Sequence, residues 1–156
     1  MIRELAPACA AIPFEPHVTV YSGSLTDQDR LQRAVIAALE GMRPFPLKVT
    51  GIGFSVEYFK SVFVEFEESP LLRGIHDRLK RGLGGDSGYL LAPHLSLLYS
   101  DKPLAEKAVL ARRIVLDRQD ILFDRVKVVV PQNSLEVWRD IGGWRTQFSM
   151  KLGGAG

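Results

Sequence analysis

The chain has a single cysteine, Cys9, among its 156 residues. One thiol excludes an internal disulfide and fits a reducing compartment. Its setting, "PACAAIP", offers no neighbouring base or cation, so the residue reads as a small apolar filler rather than a nucleophile. No stretch approaches the roughly eighteen apolar residues that a membrane span needs. The opening "MIRELAPACAAIP" carries Glu4 and no continuous apolar run, a poor pattern for a secretory signal. These absences point to a cytoplasmic protein without a membrane partner. Charge of one sign is scarce as well. Twenty Lys and Arg stand against 18 Asp and Glu, for a net charge of +2. That slight excess suits an anionic small substrate and falls far short of the dense basic face that duplex nucleic acid requires.

What is present is ordinary globular material, 46% hydrophobic and 24% charged, enough for one domain with a core of its own, taken here as residues 1–156. "PHVTVYS" reads as a strand. "SLTDQDRLQRAVIAALEGM" reads as a helix with Thr26 at the N-cap, Leu31, Val35, Ile36 and Leu39 on its inner face, and Gly41 as its stop. "FPLKVTGIGFSVEYFKSVFVEFEES" reads as a hairpin, with Val62, Val64 and Phe66 on one face and Phe63, Glu65 and Glu67 on the other. Ser69 and Pro70 then open a helix that runs into the glycine-rich "GLGGDSG". A second histidine strand follows, then a helix opened by residues 101–103. Strand-like runs come last, at residues 123–131, 134–141 and 144–150, before an end, "KLGGAG", that reads as flexible. The order predicts an α+β fold with a loose internal duplication whose break lies near residues 82–88.

Two phrases carry the duplication: "FEPHVTVYSG" at 14–23 and "APHLSLLYSD" at 92–101. In a strand, residues i and i+2 share a face. His17 therefore projects with Thr19, and His94 with Ser96, while Val18, Val20, Leu95 and Leu97 turn into a core. The chain has only three histidines, and two of them occupy matching slots. One histidine beside a hydroxyl on a strand is usually a core residue; two in the same Pro-His-x-[Thr/Ser] context ask for another explanation. Brought together, they would line a cleft with two imidazoles and two hydroxyls. That set serves phosphodiester displacement: one imidazole takes a proton from the attacking oxygen, the other gives one to the leaving oxygen. The hydroxyls would hold nonbridging phosphate oxygens. No metal or cofactor is required.

With those motifs, and with "PFEPHVTV", "PHLSLLY", "FKSVFVEFEESP" and "SLEVWRDI", the chain resembles the two-histidine phosphoesterase superfamily from about residue 12 to 140, and within it the cyclic phosphodiesterases. The resemblance implies a bilobal fold, two antiparallel sheets flanked by helices around a central cleft with pseudo-twofold duplication. It implies metal-independent hydrolysis of a nucleotide-like 2′,3′- or 1″,2″-cyclic phosphate to a monoester. His17 and His94 correspond to the acid–base pair, with His94 favoured as the base, and Thr19 and Ser96 to the phosphate contacts. Tyr99 matches the aromatic just past the second motif, expected to contact phosphate or base. Family members usually begin with an extra strand and helix. Here residues 3–11 correspond at most to the end of that helix, so either the sequence starts late or another chain supplies the missing edge, as a homodimer would.

Two other readings stay open: an RNA-end enzyme of the same superfamily, acting on 2′–5′ linkages, and a nucleotide-binding module without turnover. Other features carry less. His76, in "GIHDRLKRGL", reads as a residue of a solvated helix face. The same holds for the basic run Arg73, Arg78, Lys80 and Arg81. "GLGGDSG" lacks the lysine and spacing of a phosphate-binding loop and reads as a hinge. Phe59 and Lys60 fall in a hairpin turn that could reach the cleft, and Trp138 and Trp144 read as packing residues. No His, Cys or carboxylate spacing points to zinc.

Overall fold

A computed structural model of the chain describes residues 14–24, 27–84, 87–131 and 143–153. Cys9, residues 3–11, Thr26, Trp138 and the expected strand at 134–141 lie outside the described residues, as do Gly85 and Asp86 of the glycine-rich stretch. Helix α1 (Gln28–Leu39) is capped by Asp27, whose carboxylate accepts from the Arg30 amide at 2.9 Å. The cap expected at Thr26 therefore sits one residue later. Ala34, Val35, Ala38 and Leu39 are buried, whereas Ile36, expected to face inward, is 45% exposed. Helix α2 (Pro70–Leu83) begins as expected: the Ser69 hydroxyl accepts from the Leu72 amide with proline in the first turn. It ends at Gly84, whose φ of 68° closes the last turn, a conformation that suits a residue without Cβ. Helix α3 (Leu104–Arg113) follows Pro103.

The strands form two antiparallel sheets. Strands β1 (Phe45–Phe54), β2 (Val62–Phe66), β3 (His94–Leu98) and β4 (Asp120–Phe123) make the larger one, in the order β3-β2-β1-β4. Strands β5 (Arg125–Pro131) and β6 (Trp144–Lys151) pair in the smaller. The fold is the expected α+β arrangement of two antiparallel sheets with helices. Leu39, Phe45, Leu47, Leu72, Ile75 and Leu79 form the main core, against which Val126, Val128, Phe148 and Met150 of the small sheet pack. Leu152 is buried there too, and its amide donates to the Asp124 carbonyl at 2.8 Å, so the chain is held by the core at Leu152, and residues 154–156 lie outside the described residues. A second cluster of Val64, Leu95 and Leu97 lies under the histidine phrases, and a third joins Val62 and Leu98 to Ala111 of α3.

The first histidine phrase does not form a ladder-paired strand. It makes one isolated antiparallel bridge, Val18 to Leu95, and its Glu15 carboxylate is paired with Lys127 of β5 at 2.6 Å. The chemistry of the segment explains this: Pro16 has no N–H to offer, and the Thr19 and Val20 carbonyls accept from the side chains of Tyr89 and His76.

Two features of the large sheet shape the face on which β3 presents its histidine. Cross-strand partners point to the same side, and on this face Phe63 lies opposite Gly53 and Glu65 opposite Gly51. The glycines leave β1 bare, so the ring and the carboxylate lie across it. Phe63 is buried although it shares its strand face with Glu65 and Glu67. The turn between β1 and β2 is cross-braced. The fully buried Ser61 hydroxyl lies 2.8 Å from each of the Tyr58 and Ser100 carbonyls, and the buried Lys107 ammonium donates to the Val56 carbonyl at 3.3 Å. A Cβ at Gly53 would lie 2.5 and 2.6 Å from carbons of the Phe63 ring and 2.7 Å from a Glu65 oxygen. Gly53→Ala is expected to lower stability by about 1–3 kcal/mol, the usual range for overpacking. Urea unfolding measures it; an unchanged midpoint would mean that the Phe63 ring gives way freely.

Candidate active site

The Val18–Leu95 bridge places the two histidine phrases side by side, antiparallel. Counting outward from an antiparallel bridge sets His17 across from Ser96 and Thr19 across from His94. Val18, Leu95 and Leu97 pack beneath, and the two His-x-[Thr/Ser] pairs share the opposite face. That is the arrangement expected of the duplicated phrase.

The two imidazoles are held in the same way. The Nδ1–H of His17 donates to the Glu15 carbonyl and that of His94 to the Ala92 carbonyl, both at 2.7 Å. A carbonyl only accepts, so in each ring Nδ1 carries the proton and Nε2 is left as the reacting nitrogen. The proline of each phrase stands between donor and acceptor. Proline confines the residue before it to extended backbone, which fixes the direction of the accepting carbonyl. Each ring also meets one phenylalanine edge-on, Phe14 for His17 at 6.1 Å and Phe63 for His94 at 5.5 Å between centroids.

Tyr99 reaches the same face through a break in alternation. Along β3, Val62 pairs with Leu98 but Phe63 pairs with Ser96, so Leu97 is an extra residue. This bulge buries Leu97 and Leu98 together and returns Tyr99 to the side of Ser96. The Tyr99 ring stacks on Phe14, centroids 3.9 Å apart and 5° from parallel, and meets Phe59 edge-on at 5.0 Å. It is buried and one face is covered, so its hydroxyl, not its ring, is what reaches the site. That hydroxyl lies 3.5 Å from His17 Nε2. Burial pushes the phenol up to about 12, with the hydrogen bond to Ser96 working the other way, so it remains a donor at neutral pH. Ser96 in turn donates to the Phe59 carbonyl at 2.6 Å. The Thr19 hydroxyl makes no hydrogen bond to any described residue.

The titration of His94 is displaced. Burial lowers its pKa; the Ala92 carbonyl raises it, Lys60 lowers it, Glu57 raises it and His17 lowers it. Lys60 belongs to the braced turn, with its ammonium 4.7 Å above the centre of the Phe63 ring. Glu65 stands across from His94 on β2. The turn expected at Phe59 and Lys60 therefore does reach the cleft. Trp144 approaches it from β6, 6.0 Å from Phe59 between ring centroids, and its buried indole N–H has no partner among the described residues.

His76 is not on a solvated face. It is 7% exposed, and its Nδ1–H donates to the Val20 carbonyl at 2.8 Å. Its position was legible, since it falls on the apolar stripe Leu72, Ile75, Leu79 and Leu83 at helical spacing. Phe14, Tyr89 and the two glycines of β1 belong to the site region without having been singled out. Only the alternating small residues of "TGIGF" carry a signal for any of them. Arg73 pairs with Glu68, and Arg78 donates to the Ala38 carbonyl at 3.2 Å, so these two cations of the basic run serve the protein's own acceptors. Among the described residues no three His, Cys, Asp or Glu side chains are grouped to hold a metal ion, and no helix is long and apolar enough to cross a membrane.

Comparison with known proteins matches residues 3–134 to the model of the 2′-5′ RNA ligase superfamily. A cyclic phosphodiesterase of Arabidopsis thaliana is 26% identical over 94 residues, 60% of this chain and 52% of that protein. The chain thus spans about half the length of the curated relative it matches.

The lowered pKa of His94 has a consequence for stability. The unfolded imidazole keeps its proton at pH values where the folded one has lost it, so the unfolded state binds more protons and stability rises with pH. The contribution is complete above the ordinary value of 6.5 and is lost as pH falls through the lowered one. His94→Gln is expected to flatten the acid side of a stability-versus-pH curve measured by urea unfolding. Parallel curves for the two proteins would mean that His94 titrates alike in both states.

Proposed function

The chain belongs to the 2′-5′ RNA ligase superfamily, the two-histidine phosphoesterases, and from that premise we propose that it hydrolyses a nucleotide-like 2′,3′- or 1″,2″-cyclic phosphate to a phosphomonoester. The observation that carries the reading is the matched pair of imidazoles, each with Nδ1–H fixed on the carbonyl two residues upstream and Nε2 released, side by side across the Val18–Leu95 bridge. A relative named for cyclic phosphodiester cleavage supports it.

In this mechanism His94 is the base. Burial, Lys60 and His17 favour its neutral form, whose Nε2 lone pair takes a proton from water as the water oxygen attacks phosphorus. The bond from phosphorus to one ring oxygen breaks, and protonated His17 delivers its Nε2 proton to that oxygen. The products are the monoester, neutral His17 and protonated His94; exchange with solvent restores the starting state. Tyr99 supports the assignment of the acid, since its oxygen, 3.5 Å from His17 Nε2, can accept from a protonated His17. Thr19 offers a hydroxyl to a nonbridging phosphate oxygen. Ser96 can do so only by turning its proton away from the Phe59 carbonyl. Both proton transfers use imidazole, so no metal enters the scheme.

A panel of cyclic phosphates and of RNA ends with 2′–5′ linkages, assayed with excess chelator, tests the reading. Hydrolysis of the small cyclic phosphates is expected, chelator present. Turnover confined to RNA ends would give the RNA-end reading instead, and binding without turnover a nucleotide-binding module. His17→Ala and His94→Ala should each lower the rate by about 10²–10⁴-fold, and the double variant should be little worse than the worse single. Near-normal rates in both single variants would make the repeated phrase a packing device.

The two hydroxyls should separate in a second experiment. Ser96→Ala leaves the Phe59 carbonyl without its donor, so it should cost about 1–3 kcal/mol of stability as well as activity. Thr19→Val should lower activity and leave unfolding unchanged. Equal stability losses, read by urea denaturation beside kcat and KM, would show that both hydroxyls are structural.

A further inference from the structure

The two motifs are anchored by different means. His94 and Ser96 lie on β3, which is paired to β2 along its length. His17 and Thr19 lie on a segment with a single backbone bridge. A segment so lightly tied needs other restraints to hold a ring nitrogen to the tolerance that proton transfer demands. Beside the Glu15–Lys127 ion pair, the structure supplies two side-chain donors to consecutive carbonyls. The Tyr89 hydroxyl donates to the Thr19 carbonyl at 2.9 Å, and His76 Nδ1–H donates to the Val20 carbonyl at 2.8 Å. One donor comes from the loop before β3 and the other from the buried face of α2. Their rings are neighbours, with centroids 6.0 Å apart, and Tyr21 lies 6.1 Å from His76 on the other side of the bonded carbonyls in sequence.

An imidazole in the middle of an apolar helix stripe is costly unless its polar atoms are used. A leucine would pack there without that cost, so what His76 adds over a leucine is its bond to Val20. The phenol of Tyr89 is likewise held as a neutral donor, its pKa raised by burial. We propose that His76 and Tyr89 are positioning residues. Together they clasp the backbone at Thr19 and Val20 and so fix where His17 and Thr19 stand relative to His94. The inference rests on the reading of His17 and Thr19 as groups that meet the substrate. It adds that α2 and the loop before β3 hold the first motif in place through two side chains that touch no substrate.

The test compares Tyr89→Phe, which removes one oxygen and keeps the shape, with His76→Leu, which removes the donor, and His76→Asn, whose amide N–H can replace Nδ1–H. Two readouts are taken on each protein: kcat and KM on a cyclic phosphate, and the NMR signals of the His17 and His94 rings, assigned with the alanine variants. For Tyr89→Phe and His76→Leu, kcat is expected to fall about 10- to 100-fold, the scale of a misplaced catalytic group, with KM nearly constant. The His17 ring signals should shift and those of His94 stay in place, and His76→Asn should recover both kcat and the His17 signals. Unmoved His17 signals in Tyr89→Phe and in His76→Leu overturn the clasp, whatever the rates. If His17→Ala itself keeps the wild-type rate, the reading of the reacting groups fails, and the ring signals alone then decide the clasp.

Discussion

A ring nitrogen that donates to a backbone carbonyl is not available as the reacting nitrogen, and in this chain that bond is made twice, at 2.7 Å, by the two histidines of the duplicated phrase. Everything else in the cleft depends on it. It sets the tautomer, it directs Nε2 outward, and it does so with an acceptor only two residues away, so the geometry is local to each phrase. The repeated proline finds its explanation here. By holding Glu15 and Ala92 in extended backbone, it aims their carbonyls at the rings that follow. The restraint is built into the covalent chain, and the tertiary structure has only to bring two finished units together.

That second task falls to a single bridge and to the surfaces on either side of it. Below, Val18 and Leu95 share one apolar cluster. Above, the two rings acquire different surroundings although their own bonds are alike. His94 sits beside Phe63 and under the influence of Lys60, and burial favours its neutral form. His17 has the Tyr99 hydroxyl at its reacting nitrogen. The difference between the two rings thus comes from neighbours supplied by the braced turn and the end of β3, not from the motifs themselves.

Much of this was legible in the sequence, and the limits of the reading have physical causes. The helix start at Ser69 and Pro70 and the helix end at Gly84 are set by local backbone chemistry, so a reader of residues can find them. The two histidines stand out because their context repeats. The face of Tyr99 was not legible, because a bulge changes alternation without changing composition. The burial of His76 was hidden by its polar type, although its spacing from Leu72 and Leu79 placed it on the apolar stripe. The burial of Phe63, which shares a strand face with Glu65 and Glu67, was not legible because nothing in "VFVEF" reveals the bare glycines it lies across. The first phrase was read as a strand from its β-branched residues, but its carbonyls are claimed by side chains from distant elements.

The extra residue at Leu97 makes the separation between Ser96 and Tyr99 three, where a regular strand would keep shared faces at even intervals. The consequence concerns backbone register more than residue type. A strand of identical sequence that ran past Ser96 without the bulge would keep every side chain and the same amino-acid content. It would nevertheless send the phenol into the core and bring Leu98 to the face of the histidines. The odd spacing and the irregular pairing are therefore bound to each other at this point, a dependence that a comparison of residue identities alone would not register.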